Sequence, residues 1–364
     1  MKIPAENLYY VLCYAWERLD RLEAVPDDVR ASAFDLPQNL LARLLHDSFS
    51  QVLRRGLDRG YWERAEDTRR PRGKLDLPST VRRALRLRGQ VRVRFEELSR
   101  DVLHNRIVKT TMLRLAAVEE LNTNLKGKLT RLVQRVADVG EVDLREDVFR
   151  RVQIHRNNAD YGFLLDLCRM IARHLFPEAH AGAVRFRDFT TDEQEMGRLF
   201  EDFVRGFLRT EHPRLGVRGH KSIKWDAAPE GDAVLRLPLM ETDIYVPGAA
   251  DGRSAIVETK CVSEPFAGGG EASSVSLRSD HLYQLFGYLT NHARSCAAEP
   301  PALGVLLYAT AGTTFDYRYR VHGHPLRVSS VDLTKPWPAV REGLDRLAEA
   351  LSGHKGPNAQ QAVA

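Results

Sequence analysis

No stretch of this sequence approaches the ~18 consecutive apolar residues that a membrane-spanning helix needs. The opening residues, MKIPAENLYYVLCYAW, place Glu6 and Asn7 where a secretory signal would carry an uninterrupted apolar segment. Both observations argue against a membrane or secreted protein. We therefore expect a cytoplasmic protein that makes no membrane contact.

Cysteine is scarce, with four residues in the chain, and no two of them form a CxxC pair. No histidine lies at zinc-finger spacing from any of them, which argues against a structural zinc site. We predict reduced thiols for the four, which are Cys13, Cys168, Cys261 and Cys296.

Signatures for nucleotide hydrolysis and for base reading are also absent. No G-x-x-x-x-G-K-[ST] loop occurs, so the chain is not expected to hydrolyse nucleotides itself. No helix-turn-helix or zinc-finger pattern supports sequence-specific DNA reading. The net charge of +5, from 54 basic and 49 acidic residues, permits nucleic-acid binding without demanding it.

Arginine-rich stretches concentrate between residues 69 and 95, as RRPRGK and RRALRLRGQVRVRF. Arginine suits bidentate contact with phosphate, although any single one of these side chains is more simply explained as solvated surface. No catalytic constellation is evident in this half of the chain. His104 and Asn105 are expected to have a packing or capping role.

Hydrophobic periodicity predicts two domains and a tail, separated where Pro, Gly and Ala interrupt the helical pattern between 176 and 189. Residues 1–185 form an N-terminal mixed α/β domain in this prediction. Residues 186–351 form the second domain, and residues 352–364 a disordered tail, because they lack an apolar face. The predicted fold class is therefore α/β, in the mixed α+β sense.

The second domain is predicted to begin with a helix, TDEQEMGRLFEDFVRGFLRTEHP, capped by Thr191 or Asp192. Three strand-like runs, a helix (SDHLYQLFGYLTNHA) and a strand buried on both faces (ALGVLLYAT) follow. The segment FDYRYRVHGHPLRVSSVDL indicates an edge hairpin.

Carboxylates and a lysine interrupt the apolar strands of this domain. In SAIVETK, Glu258 and Lys260 share one face of an extended strand. Asp243 ends the preceding strand in this prediction, and the turn GAADGR would bring it close to Glu258. A salt-bridged surface hairpin would explain the Glu-x-Lys triplet alone.

Two carboxylates held close repel each other unless a cation lies between them, and oxygen ligands suit Mg²⁺ or Mn²⁺. Such a metal polarises a phosphoryl oxygen and lowers the pKa of bound water, while Lys260 would orient that water. The pattern therefore predicts phosphodiester hydrolysis.

Asp243, then Glu258-x-Lys260, then Gln284-x-x-x-Tyr288 resembles the PD-(D/E)xK nuclease core, and the last motif is similar to the Q-x-x-x-Y motif of its RecB-like branch. Thr242 stands where that core often has proline. The resemblance implies a restriction-endonuclease-like domain with a central mixed sheet flanked by helices.

It also implies roles for individual residues. Asp243, Glu258 and Glu201 on the preceding helix would hold the metal, and Gln284 would orient Lys260 or a nucleotide. Glu201 and Gln284 are equally explained as polar helix positions, and Tyr288 as a core residue.

A second resemblance covers almost the whole chain. The segments IPAENLYYVLCYAW, RGKLDL, ELSRDVLHNRIVKTTM, LFEDFV, TDIYV, ETK and DHLYQLFGYL are similar, in order and spacing, to those of McrC-type proteins. These are nuclease subunits of the McrBC modification-dependent (5-methylcytosine) restriction system. Membership implies an N-terminal domain docking on a McrB-like AAA+ GTPase or ATPase hexamer, whose hydrolysis it stimulates. It also implies a C-terminal Mg²⁺-dependent DNA endonuclease.

We therefore expect an endonuclease driven by a motor partner that contacts the arginine-rich strands around 69–94. A second copy of the nuclease would cut the other DNA strand. One alternative is a non-catalytic adaptor that activates the NTPase, which intact Asp243, Glu258 and Lys260 disfavour. The other is a stand-alone RecB-like nuclease, against which the long N-terminal half argues.

Overall fold

The computed structural model describes residues 2–18, 29, 36–177, 184–227, 237–248, 252–262, 264–267, 276–295 and 300–353. The chain divides into two compact units. One, the C-terminal unit, combines residues 1–37, including helix α1 (Ala5–Ala15), with residues 188–364, and the other, the middle unit, spans 38–187. The predicted tail, 352–364, lies from residue 354 onward outside the described residues.

The middle unit combines helices with a small antiparallel sheet. Its helices are α2 (Pro37–Arg55), α3 (Leu77–Arg82), α4 (Leu103–Ala116), α5 (Thr123–Arg135), α6 (Glu146–Arg150) and α7 (Tyr161–His174). Strands β1 (Gly60–Thr68), β2 (Lys74–Leu75) and β3 (Val91–Ser99) form a sheet in the order β1-β3-β2, and β4 (Leu175–Pro177) pairs with β5 (Val184–Phe186).

Strands β1 and β3 form a long antiparallel pair, and one asparagine fixes the end of the pair where β1 begins and β3 ends. Asn105 on α4 donates to the carbonyl of Asp58, before β1, at 3.1 Å and to that of Arg100, after β3, at 2.7 Å. Tyr161 on α7 donates its hydroxyl to Asn105 Oδ1 at 2.6 Å. Asn105 therefore ties the start of β1 and the end of β3 to the helices, a packing role of the kind expected.

The C-terminal unit is built on a mixed sheet. After α1, its helices are α8 (Glu193–Glu211), α9 (Ser279–Ser295) and α10 (Trp337–Leu351). Its strands are β6 (Arg218–Gly219), β7 (Ser222–Ile223), β8 (Met240–Glu241), β9 (Ile244–Val246), β10 (Ala255–Cys261), β11 (Phe266–Ala267), β12 (Ser276–Leu277), β13 (Leu303–Thr310), β14 (Asp316–Val321) and β15 (His324–Asp332).

Six of these strands form one sheet in the order β14-β15-β13-β10-β9-β6. The central strands β10, β13 and β15 run parallel, while β14, β9 and β6 are antiparallel to their neighbours. Strand β13 is almost wholly buried, as the apolar run ALGVLLYAT predicts, and β14–β15 is the predicted edge hairpin. The expected mixed α/β fold, with a mixed sheet flanked by helices, is confirmed.

Local signals explain the long helix α8. Asp192 caps it, accepting hydrogen bonds from the backbone N–H groups of Gln194 and Glu195 at 3.1 and 3.2 Å. Its apolar residues recur at helical spacing and are buried. In the described part of the chain, no helix has the length and apolarity to span a membrane. Cys13, Cys168 and Cys261 form no disulfide within the described part of the chain, and Cys296 lies outside it.

Helix α1 belongs to the C-terminal unit, whereas the sequence assigned it to an N-terminal domain of residues 1–185. The ring of Tyr14 packs against Phe203 and Phe207 of α8, with centroid separations of 6.1 and 5.1 Å. Its hydroxyl donates to Glu211 at 2.7 Å. Asn7 donates to two carbonyls that follow β15, both at 2.7 Å. These contacts join the two ends of the chain, which periodicity alone does not reveal.

Helices α1 and α8 approach each other closely at Gly206, where an added Cβ would lie 2.0 Å from the carbonyl oxygen of Tyr14. Replacement Gly206→Ala should force the helices apart and lower the free energy of unfolding by about 2 kcal/mol or more. The measurement is the melting temperature of the full chain, which should fall by roughly 4–8 °C.

Gly197→Ala is the matched control, because the same helix carries Gly197 and an added Cβ there would meet nothing within 4 Å. Alanine is the better helix former, so this variant should gain up to about 1 kcal/mol. An unchanged melting temperature for Gly206→Ala would contradict the described packing.

Candidate active site

The strands that carry the predicted site residues pair as a hairpin. Strand β9 runs antiparallel to β10, with Ile244 opposite Val257. Asp243 lies directly before β9, whereas the sequence placed it at the end of the preceding strand. The pairing of β9 with β10 ends at Ile244 and Val257. The backbone N–H of Thr259 therefore donates to a side chain and not to a backbone carbonyl of β9. Asp243 Oδ2 accepts from both N and Oγ1 of Thr259 at 2.8 Å.

Lys260 is held by two acceptors on different elements. Its Nζ donates to Glu258 Oε1 at 2.9 Å on the same strand face and to Gln284 Oε1 of α9 at 2.8 Å. Gln284 Nε2 in turn donates to the hydroxyl of Tyr288 at 2.9 Å, one helical turn away. The Q-x-x-x-Y spacing therefore has a physical reason. Tyr288 orients the side-chain amide of Gln284, and that amide accepts the hydrogen bond from Lys260.

Glu258 is a buried carboxyl group, with 1 % of its surface exposed. Burial, and secondly the charge of Asp243, raises its pKa to about 8, with Lys260 acting in the opposite direction. Among the described residues, its Oε2 has no hydrogen-bond partner. An exposed salt-bridged hairpin, the simpler explanation of the Glu-x-Lys triplet, does not fit a glutamate buried to this extent.

Glu201 faces the same cleft from α8. Its Oε1 accepts from Arg205 at 2.6 Å and lies 3.6 Å from His220 Nε2. Burial, and secondly the nearby charge of Asp243, raises the pKa of Glu201. Arg205 also reaches the carbonyl oxygen of Asp243 at 3.4 Å, so it joins the helix to the start of β9.

The structure brings all five predicted site residues to one open cleft of about 420 Å³. They are Glu201, Asp243, Glu258, Lys260 and Gln284. Sequence reasoning missed Thr259, Arg205 and His220, which fix two of the carboxylates. The only sequence signal for Arg205 is its position four residues after Glu201, which a helix places on the same face.

The donor atoms fit a divalent cation in part. No group of three or more His, Cys, Asp or Glu in the described part of the chain has an arrangement that could hold a metal ion. Asp243 Oδ2 already accepts two hydrogen bonds from Thr259, and Glu201 Oε1 accepts one from Arg205. Mg²⁺, however, is commonly bound by one or two carboxylates and several waters. Asp243 and Glu258 could supply those two carboxylates, because Glu258 Oε2 has no hydrogen-bond partner among the described residues. Glu201 fits less well, because Arg205 donates a hydrogen bond to its Oε1.

The raised pKa of Glu258 has a consequence for stability. Between its ordinary value of 4.5 and about 8, the folded protein holds a proton that the unfolded chain releases. Because the native state binds more protons, the free energy of unfolding falls as pH rises through this window. Glu258→Gln removes the titration, so its stability should fall less steeply and exceed that of the wild type near pH 8.

Melting temperatures between pH 5 and about 8.5 in EDTA would measure this slope. Glu342→Gln, at an exposed position on α10, is the control and should follow the wild-type slope. Parallel curves for the wild type and Glu258→Gln would refute the assignment of the proton to Glu258.

Fold and cleft together define the class: a mixed α/β protein whose central hairpin and flanking helices present carboxylates and a lysine to one cleft. A family model described as "McrBC 5-methylcytosine restriction system component" matches residues 5–309. The chain belongs to the McrBC family, which confirms the resemblance seen in its sequence motifs.

A curated relative is the "Type IV methyl-directed restriction enzyme EcoKMcrBC" of Escherichia coli strain K12. It is 28% identical over 348 residues, which cover 94% of this chain and 96% of that protein.

Two solved structures are also similar. A half-complex of Thermococcus gammatolerans McrB AAA+ hexamers with bound McrC matches with a TM-score of 0.57 and 18% identity, over 94% of this chain and 76% of that one. At this identity the likeness concerns the fold. The T. gammatolerans McrBC complex matches with a TM-score of 0.40 and 22% identity, over 57% and 58% of the two chains.

Proposed function

We propose that this protein is a Mg²⁺- or Mn²⁺-dependent DNA endonuclease of the PD-(D/E)xK type, driven by an AAA+ NTPase partner within a restriction system. The observation that carries the proposal is the buried Glu258, which accepts a hydrogen bond from Lys260, itself held by Gln284, with Asp243 in the same cleft. Burying a carboxyl group with one oxygen left without a hydrogen bond destabilises the fold. An adaptor without catalytic activity would have no need for the unpartnered carboxylate oxygen.

In the proposed reaction Asp243 and Glu258 would hold the divalent ion, which would supply Lewis acidity toward the scissile phosphate. Lys260 orients the attacking water and offsets the negative charge that develops on the phosphate. Gln284 and Tyr288 fix the lysine in position. Arg205 holds Glu201 at the cleft and the backbone of Asp243 beside it.

The surface of the middle unit is better suited to binding a protein partner than to binding phosphate directly. On the β1-β3-β2 sheet, arginines pair with neighbouring carboxylates at 2.8 to 3.2 Å, as Arg64–Glu97, Arg72–Glu66, Arg92–Asp67 and Arg94–Asp76. The same unit exposes several large apolar side chains, among them Leu75, Leu77, Val81, Leu87 and Leu98. Exposed apolar groups rimmed by polar ones are typical of protein interfaces.

We assign this surface to the AAA+ motor. The comparison with an assembly of McrB AAA+ hexamers with bound McrC supports such a partner. In this proposal the motor supplies DNA translocation and recognition of the modified base, and a second nuclease copy cuts the other strand.

Lys260→Ala is the first test of the proposed nuclease. The native complex, captured from its host by a tag on this chain, would be assayed on methylated plasmid with Mg²⁺ and nucleotide each withheld in turn. Removing a group that stabilises transition-state charge should cost about 10²- to 10³-fold in cleavage rate. Lys335→Ala, at an exposed lysine of the same unit, should cut like the wild type. If the Lys260→Ala complex cuts the plasmid as fast as the wild type, the nuclease site lies elsewhere in the complex and this chain is an adaptor.

The motor-facing surface has its own test in the double variant Val81→Ser/Leu87→Ser. Both side chains are exposed, so the melting temperature should stay within about 2 °C of the wild type. Stimulation of the partner's NTP hydrolysis should fall about ten-fold or more, because interface anchors are lost. Ile154→Ser, another exposed apolar position of the same unit, is the control. Unchanged stimulation by the double variant would exclude this surface.

A further inference from the structure

The N-terminal half of helix α8 forms one wall of the cleft that holds the candidate active site. Glu193, Gln194, Gly197 and Arg198 line this cleft together with Glu201. Their spacings of three and four residues place them on one side of the helix. The proposed reaction gives a part to Glu201 and none to the four residues before it. These four residues are together termed the helix wall.

The lining of the cleft favours a charged ligand over a protein segment. Among the described residues that line it, Cys261 and Val262 are the apolar ones. Protein interfaces centre on aromatic and apolar side chains, which this lining does not offer. Glu258 also indicates that the cleft takes a ligand, because it is buried and its Oε2 has no hydrogen-bond partner in the described part of the chain.

Positive charge on the described lining of the cleft comes from Lys260 and Arg198. Lys260 Nζ already donates to Glu258 and Gln284, at 2.9 and 2.8 Å. The side chain of Arg198 is 62% exposed, and its Nη1 lies 3.4 Å from Glu195 Oε1. An exposed pair of this kind stabilises a helix very little. A phosphate can therefore displace the glutamate and accept paired hydrogen bonds from the guanidinium group.

Carboxyl groups outnumber these cations, so a phosphate in the cleft needs Arg198. Under the proposed reaction a divalent ion would offset two of the carboxylates, and Arg205 already donates to a third at 2.6 Å. The fourth lies in the first turn of α8, where the helix favours negative charge. Arg198 then supplies the charge for a phosphate away from the ion. The four are Asp243, Glu258, Glu201 and Glu193.

Gly197 is unusual, because glycine destabilises the interior of a helix relative to alanine. Gly206 of the same helix has a packing reason, since an added Cβ would meet the backbone of α1. At Gly197 an added Cβ would meet nothing within 4 Å. Gly287 of α9 is equally open but does not line the cleft. Gly197 lines it beside Arg198, so bare helix backbone faces the space where a ligand can approach.

We propose that the helix wall holds the backbone of the DNA strand being cut. Arg198 binds a phosphate beside the scissile one, and the bare surface at Gly197 leaves room for the sugar and phosphate to lie against α8. Both are positioning residues, because the reacting phosphate lies at Lys260. This inference rests on the proposed nuclease function, but DNA binding alone tests it.

The test is fluorescence anisotropy of the full chain in EDTA with a short labelled DNA duplex, over a series of salt concentrations. Arg198→Ala should bind about ten-fold more weakly, because a charge-assisted contact is lost. Its slope of log affinity against log salt should be shallower by about 0.9, which corresponds to one phosphate. Arg198→Lys keeps the charge and should keep the slope.

Gly197→Leu tests the space and not the charge. Leucine forms helices better than glycine, so the melting temperature should equal or exceed that of the wild type. Affinity for the duplex should nevertheless fall about ten-fold, because the side chain fills the room left for the DNA backbone. The salt slope should stay unchanged, since no charge is removed. A purely structural role for Gly197 would not weaken binding in a protein at least as stable.

Gly287→Leu and Arg346→Ala are the matched controls. Gly287 is a helix glycine with open surroundings, and Arg346 is an exposed helix arginine whose Nη1 lies 2.9 Å from Glu342 Oε1. Neither lines the cleft. Both variants should bind the duplex like the wild type. A melting curve for each variant separates lost binding from lost folding.

A wild type without affinity for the duplex would overturn the inference, and so would normal binding by either Arg198→Ala or Gly197→Leu. If these variants bind DNA normally but lose stimulation of the partner's NTP hydrolysis, the helix wall contacts the motor instead.

Lys260→Ala keeps the two proposals separate. If it abolishes cleavage while both wall variants bind DNA normally, only the present inference fails. If it cuts like the wild type while the wall variants lose affinity for DNA, only the nuclease proposal fails.

Discussion

The burial of Glu258 is the constraint on which the C-terminal unit depends. A carboxyl group removed from water must take up a proton or find compensating positive charge. Lys260, on the same strand face, offsets only part of this cost by donating a hydrogen bond to Glu258, whose pKa stays raised to about 8. Gln284 of α9 accepts a second hydrogen bond from the lysine. Asp243 is fixed alongside because β9 stops short of Thr259, whose N–H then pairs with the carboxylate. The second oxygen of Glu258 gives the cleft its proposed affinity for a divalent ion.

Local periodicity was sufficient to predict much of this site. Alternation in a strand places Glu258 beside Lys260, and a helical spacing of four places Gln284 beside Tyr288. The contact of Arg205 with the carbonyl oxygen of Asp243 could not be predicted, because it needs α8 docked against the start of β9. The sequence also did not reveal that α1 packs against α8. An amphipathic pattern shows that one face of a helix is buried, but it does not show which element covers that face. Long-range packing decided both.

Arginine has different neighbours on two surfaces of this protein. On the β1-β3-β2 sheet the guanidinium groups of Arg92 and Arg94 are satisfied by carboxylates, and apolar side chains are exposed nearby. On β14 the acidic residue is already held by Arg327, and tyrosines alternate with Arg318 and Arg320. The first environment suits another protein. On the second, the guanidinium groups and the tyrosine rings project from opposite faces of the strand. Residue counts alone would not separate them.

The connectivity of the C-terminal unit affects the order in which it can be made. Helix α1 leaves the ribosome about 180 residues before α8 begins, an interval of roughly 10–35 s at ordinary translation speeds. During that time the apolar face of α1 has no Phe203 or Phe207 to cover it. The cleft is completed only after the whole middle unit has been synthesised. A growing chain of this kind therefore reaches a translation stage at which its middle unit can fold while its proposed nuclease is still incomplete.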